Sequence, residues 1–204
     1  VEQGGPRWDP GREGATMLTH GPLSDVRVLD LTRVWSGPLA TRMLADFGAH
    51  VVRISDPRGP VVRTNGTNNK LGRNRLGIAL RLDEPDGRQA FLDLVGVSDV
   101  VVENFRPRVM RNFDLGYDVL RSVRPDLVMC SMPGFGTQGA FANYPAFGPS
   151  VEAMTGMTSL MGYPGGPPMV SSIAYPDPVA ALNAAGAIMT ALWHRRRTGQ
   201  GQFI

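Results

Sequence analysis

The sequence predicts an α/β chain wound on both faces of a mostly parallel sheet, and three observations carry that prediction. Short apolar runs recur at Val26–Leu31, His50–Ser55, Leu76–Leu82, Asp99–Phe105 and Leu127–Met132, each of a length suited to a buried strand. Segments with helical spacing lie between them. The first strand, helix and strand also fall within thirty residues, a βαβ unit whose crossover makes the two strands parallel. Repeated alternation of this kind points to a Rossmann-like, doubly wound sheet. Ligands of such sheets bind past the carboxyl ends of the strands, here Thr32–Ser36, Ser55–Arg58, Glu103–Arg106 and Pro133–Gly136.

Size and composition narrow the classes. With 204 residues, 42% hydrophobic and 19% charged, the chain can bury a full core, and one domain is the expectation. The net charge is only +3, an excess that suits a small anionic ligand as well as a polyanion. A single cysteine, Cys130, leaves no internal disulfide. Three scattered histidines add no metal cluster. No apolar run approaches the roughly 20 residues of a membrane span, and no charged start precedes an apolar stretch as in a secretory signal. The expected setting is cytoplasmic, with neither membrane nor nucleic acid as partner.

The elements follow in order. Residues 1–21, rich in Gly, Pro and charge without a period, read as a flexible leader. Residues 22–204 form the folded domain. Ser36-Gly37-Pro38 opens a helix bearing Leu39, Met43, Leu44 and Phe47 at helical spacing, with Gly48 as its stop. Asp56–Arg75 is a long polar loop. Glu84-Pro85-Asp86-Gly87 starts the next helix, and a further one over Val109–Val123 is interrupted at Gly116. Gly134-Phe135-Gly136-Thr137-Gln138-Gly139 matches the dinucleotide fingerprint in letters. The fingerprint needs a helix opening on its third glycine, whereas Pro145 and Pro149 follow here, so a close-packed loop is the better reading. Ser150–Gly162 reads as a methionine-rich helix that fills core.

The last helix is predicted over Pro178–Arg197, with Val179, Leu182, Met189 and Leu192 as its apolar stripe and small residues allowing close approach. Its terminal His194-Arg195-Arg196-Arg197 complements the helix dipole ahead of the cap Gly199. No aromatic platform accompanies these arginines, which argues against nucleic-acid binding. Gln202-Phe203-Ile204 resembles the start of another strand, as in a chain cut short. At the front of this helix stands Asp177, between Pro176 and Pro178. Proline suits a first helical position, so Asp177 is the expected N-cap, kept ionised by free backbone donors and the dipole. Local chemistry leaves two readings open: a cap alone, or a charged oxygen nucleophile displayed at a cleft.

Several blocks together resemble one family. Val28–Arg33 with Ser36-Gly37-Pro38, Leu44–Ala49, Val102–Pro107, Gly134–Gly136, Met169–Ser171 and Arg197–Gln202 are similar to the class III (CaiB/BaiF, formyl-CoA transferase-like) CoA-transferases, in that family's order, over about residues 22–204. The resemblance implies a CoA-binding large domain, with the small domain and a glycine-rich active-site loop beyond residue 204, and an interlocked homodimer in the full-length protein. It implies CoA or acyl-CoA as substrate, a carboxylic acid as co-substrate and no permanently bound cofactor or metal. Asp177 aligns with the family's nucleophile. Positions matching CoA contacts are Trp35, Ser36, Asp56, Arg75, Leu80, Arg81, Leu82, Asp83, Asn104, Phe105, Arg106 and Asn112, with Arg75, Arg106 and Arg108 suited to phosphates.

Racemases of the family pair the aspartate with a histidine in a Gly-His-Asp block. The matching Ala146-Phe147-Gly148 has no imidazole, which argues against proton exchange. Glu152 is the one nearby substitute, and on a helix it reads as a solvated or capping carboxylate. The expectation is a CoA-transferase working through an aspartyl anhydride and an aspartyl-CoA thioester, with a racemase or a non-catalytic CoA-binding protein as alternatives.

Overall fold

The computed structural model describes residues 21–59 and 66–204. Five parallel strands form one sheet in the order β3-β2-β1-β4-β5: β1 Arg27–Asp30, β2 His50–Ser55, β3 Arg75–Ala79, β4 Val100–Glu103 and β5 Val128–Ser131. Phe203 continues the sheet in parallel beside Met129, with Met129 N–H donating to Gln202 and Ile204 N–H donating to Met129. The expected leader lies outside the described residues, apart from Gly21. The third strand stops at Ala79, short of the expected Leu82, and the expected loop at 56–75 holds a short helix, α2 Gly66–Gly72.

Side chains alternate across the sheet as a period of two requires. Val28, Val100, Val102, Val128 and Cys130 face one core with α1 (Ser36–Asp46) and α7 (Pro176–Thr198). Leu29, Val101, Leu127 and Met129 face the other, which Phe91 and Val95 of α3 (Pro85–Gly96), Met110 of α4 (Arg108–Asn112) and Leu120 of α5 (Tyr117–Val123) complete. Gly116 is the N-cap of α5 and divides it from α4. No helix among the described residues is long and apolar enough to cross a membrane.

Two helices differ from expectation. The buried face of α7 is its small-residue face, Ala181, Ala184, Ala185, Ile188, Ala191 and Leu192. Val179, Leu182 and Met189 are exposed. Alanines on both α7 and α1, with Ala40 and Ala45 on the latter, let the two helices pack closely around Leu44, Ile188 and Leu192. The methionine-rich segment is not a core helix. It splits into α6 (Gly148–Met154) and a 3-10 turn (Met157–Leu160), broken by Gly156 at φ 80°, and Met154 is exposed. The basic end of α7 behaves as a helix terminus: Arg195 pairs with Asp99 at 3.0 Å, Arg196 with Asp25 at 2.7 Å, and Gly199 caps at φ 73°.

A buried ion pair ties α1 to two strands, β1 and β3. Asp30 ends β1 with 0% exposure and accepts from the Arg75 guanidinium, from Thr41 Oγ1 at 2.7 Å and from Thr32 N–H at 2.8 Å. The side chain of Arg75 is itself only 3% exposed. This corrects the expectation that Arg75 meets a phosphate, because its charge is consumed inside the fold. Breaking a buried pair by removing one partner strands the other charge. Arg75→Ala is therefore expected to lose about 3–5 kcal/mol in urea unfolding; a loss under about 1 kcal/mol would show that Asp30 does not depend on it.

Candidate active site

The strand order reverses its winding between β1 and β4, and the two carboxyl ends there part to leave a crevice. A cavity of about 410 Å³ occupies it, lined by Ser36, Asn104, Met132–Gly134, Ala146–Gly148 and the first turn of α7 with Asp177. Among the described residues, Asp177 is the only ionisable side chain lining it.

Asp177 is not the N-cap. Tyr175 holds that position, and Asp177 is the second residue of α7. The helix start offers it no free donor. Pro176 and Pro178 have no N–H. Asp177 N–H donates to Ala174 O at 2.9 Å, and Val179 N–H to Tyr175 O at 3.4 Å. Donors reach the carboxylate from other elements instead: Ser36 N–H at 3.2 Å, the Ser36 hydroxyl and Gly148 N–H. These do not outweigh burial, which raises the Asp177 carboxyl above its ordinary range.

Three short segments build the site, and polar side chains hold each. After β1, Val34 adopts φ 68°, a left-handed conformation costly for a β-branched residue. Asn104 pins this turn, accepting from Arg33 N–H and donating to Arg33 O, both at 2.8 Å. After β4, buried Glu103 accepts from Phe105 N–H at 2.7 Å and from the Ser131 hydroxyl. Before α7, Ala174 adopts φ 45°, and Glu152 accepts from Ser171 N–H and Tyr175 N–H at 2.8 Å each. Glu152 is 0% exposed, so of the two expected roles, solvated or capping carboxylate, the structure has the second: it caps backbone N–H groups at the entry to α7. Its hydrogen bonds to Ser171, the hydroxyl foremost, hold it below the usual carboxylate range. Gly148 belongs to the site for want of space, since a Cβ there would overlap Asp177 Oδ2 and Ala174 Cβ. Cys130 is no nucleophile: burial pushes its thiol up to about 12.

The sequence profile of CoA-transferase family III matches residues 23–204. The chain belongs to that family. The succinyl-CoA:mesaconate CoA-transferase of Haloarcula marismortui is 39% identical over 202 residues, covering 90% of this chain and 51% of that protein. The succinyl-CoA:glutarate CoA-transferase of Homo sapiens is 34% identical over 204 residues, covering 95% and 47%. A CaiB/BaiF family protein from Brucella suis superposes with a TM-score of 0.83 at 30% identity, covering 90% and 52%. The chain thus spans about half the length of the curated relatives it matches.

For a family III member, the positions expected at CoA gather in two places. Ser36 and Asn104 line the Asp177 cavity. Asp56, Leu80, Leu82, Asp83 and Phe105 line a smaller cleft of about 40 Å³ past β2 and β3. The segment from Leu31 to Ser36 runs between the two, with Leu31 and Arg33 on the cleft side. Arg33 lies over the Phe105 ring, 5.4 Å from its centroid. Asp56 and Asp83 both pair with Arg58, at 2.7 and 3.0 Å, and Arg81 pairs with Asp83 and Glu84. Hydrogen bonds from Arg58 hold Asp56 well below the carboxylate range. Trp35 is half-buried at the cap of α1, and Arg106, Arg108 and Asn112 are exposed around α4. The Gly134–Gly139 segment opens no helix, so it lacks the dinucleotide geometry.

The burial of Asp177 carries a stability consequence with a fixed sign. Its raised pKa means that ionisation opposes folding, a cost present above the folded-state pKa and removed as pH falls through it. Asp177→Asn is expected to melt higher than wild type at neutral pH, with the gap closing in acid as the wild-type carboxyl gains its proton. A lower melting temperature for Asp177→Asn at neutral pH would contradict this.

Proposed function

We propose that the full-length protein moves CoA from an acyl-CoA to a carboxylic acid, with Asp177 as the nucleophile. One observation carries the reading: among the described residues, Asp177 is the only ionisable group on the wall of the cavity at the winding reversal, half-buried and met by a backbone N–H from another element. A desolvated carboxylate with a raised pKa is a stronger nucleophile than a solvated one.

In this reading an Asp177 oxygen attacks the thioester carbonyl, the C–S bond breaks, and CoA leaves as thiolate from a mixed anhydride. The thiolate then attacks the aspartyl carbonyl carbon, releasing the first acid and leaving an aspartyl-CoA thioester. A second carboxylate attacks that thioester and expels the thiolate, giving a new anhydride. The thiolate returns to its acyl carbon, freeing Asp177 and the product thioester. Ser36 N–H is the donor placed to stabilise an oxyanion on the aspartyl side. The cleft at Phe105, Leu80 and Leu82 gives the nucleotide end of CoA an apolar seat. Exposed Arg106 and Arg108 supply positive charge for its phosphates. Succinyl-CoA or succinate stands in the names of the relatives above and of the Agrobacterium fabrum succinate–glutarate enzyme, which supports a dicarboxylic donor. We further propose the interlocked homodimer and a cytoplasmic setting for the whole protein.

Proton exchange at the α carbon is the weaker reading. Phe147 occupies the cavity wall where an imidazole would be needed. Glu152 spends its oxygens on Ser171 and Tyr175. Full-length protein with succinyl-CoA and a panel of dicarboxylic acids is expected to form new CoA esters. Asp177→Ala is expected to lose that transfer by about 10⁴-fold or more while still binding CoA. Transfer that survives in Asp177→Ala, or deuterium entering the α position from deuterated water without CoA movement, would overturn the proposal.

A further inference from the structure

We propose that Glu152 is a positioning residue for the reaction: it clamps the strained turn that aims Asp177 into the cavity. This rests on the reading of Asp177 as the nucleophile. Gly148 and Glu152 are four residues apart on α6 and so share one face. Both address the start of α7. Gly148 leaves the space that Asp177 Oδ2 and Ala174 Cβ fill, and Glu152 binds the chain on either side of Ala174.

Three donors converge on this carboxylate: Ser171 N–H, the Ser171 hydroxyl and Tyr175 N–H. An acceptor-only group is what such a set requires. The turn needs an external hold for two reasons. Ala174 is left-handed at φ 45°, a conformation that persists only where surroundings over-determine it. Tyr175 provides no side-chain cap for α7, and the prolines on both sides of Asp177 remove N–H groups that would otherwise donate to one. Among the described residues, no other side chain beyond the turn hydrogen-bonds to residues 171–175. The position of Asp177, two residues after Tyr175, is thus set by Glu152. Glutamine there would keep two of the three bonds, because its amide nitrogen must face one N–H. Alanine would keep none and leave a cavity.

The test compares wild type, Glu152→Gln, Glu152→Ala, Ser171→Ala and Asp177→Ala in full-length protein, by steady-state transfer kinetics and backbone hydrogen exchange over residues 171–177. Misplacement of a reacting group by about 1 Å costs on the order of 10²-fold. The expected result is a graded fall in kcat, about tenfold for Glu152→Gln and about 10²-fold for Glu152→Ala. KM for the CoA thioester should stay within about threefold. Amide protection at Ser171 and Tyr175 should fall in the same order. Wild-type kcat in Glu152→Ala would overturn the proposal. So would a loss confined to KM, or unchanged protection. If Glu152→Ala does not fold, normal kcat in both Glu152→Gln and Ser171→Ala overturns it equally. Turnover retained by Asp177→Ala with lost protection in Glu152→Ala would instead sink the nucleophile and leave the clamp standing.

Discussion

The winding of the sheet governs the rest of the molecule. Connections leave β1 in one direction and β4 in the other, so no segment crosses the seam between their carboxyl ends, and a crevice opens that regular structure cannot fill. Everything used by the site is a way of furnishing that crevice. The turn after β1 brings Ser36, the turn after β4 brings Asn104 and Phe105, and α7 returns from a distance to deliver Asp177. Two cores of ordinary apolar packing, one on each face, make the seam rigid enough to hold such turns.

Irregular backbone at this seam is secured by polar side chains, two of them buried. Asn104 mimics a strand partner for Arg33, Glu103 holds Phe105, and Glu152 holds Ser171 and Tyr175. Each carries a group whose partners are backbone atoms, so it fixes main-chain position directly. Asp30 instead pairs side chain to side chain, with Arg75 and Thr41, beneath α1. Two residues with left-handed backbone, Val34 and Ala174, lie beside Ser36 and Asp177. Strain sits where the proposed nucleophile and its donor are displayed, which is the usual place for it.

Periodicity was enough to read the parallel sheet, the break at Gly116 and the cap at Gly199, because apolar alternation and helix termination are local properties. The position of Asp177 was legible as important but not in its details. Its N-cap assignment failed because Pro176, not Pro178, begins the helix, and proline satisfies either position equally well. On α7, Leu192 and the close-approach alanines Ala184 and Ala185 are buried as expected, whereas Val179, Leu182 and Met189 are exposed because helix–helix distance is not a property of any single segment. Arg75 and Glu152 look like surface charges in the sequence. Only the fold shows that Asp30 and the backbone at Ser171 and Tyr175 claim them. Family resemblance supplied what spacing could not, the chemistry expected of Asp177.

The proposal that Asp177 becomes covalently loaded can be tested directly. Full-length protein mixed with succinyl-CoA in the absence of any acceptor acid, quenched in acid and digested, would be read by mass spectrometry over the peptide containing Asp177. The expected result is an aspartyl-CoA thioester on that residue, converted to the hydroxamate by hydroxylamine and absent from Asp177→Ala. Turnover-competent protein with an unmodified Asp177 peptide, or with the adduct on another side chain, would contradict it.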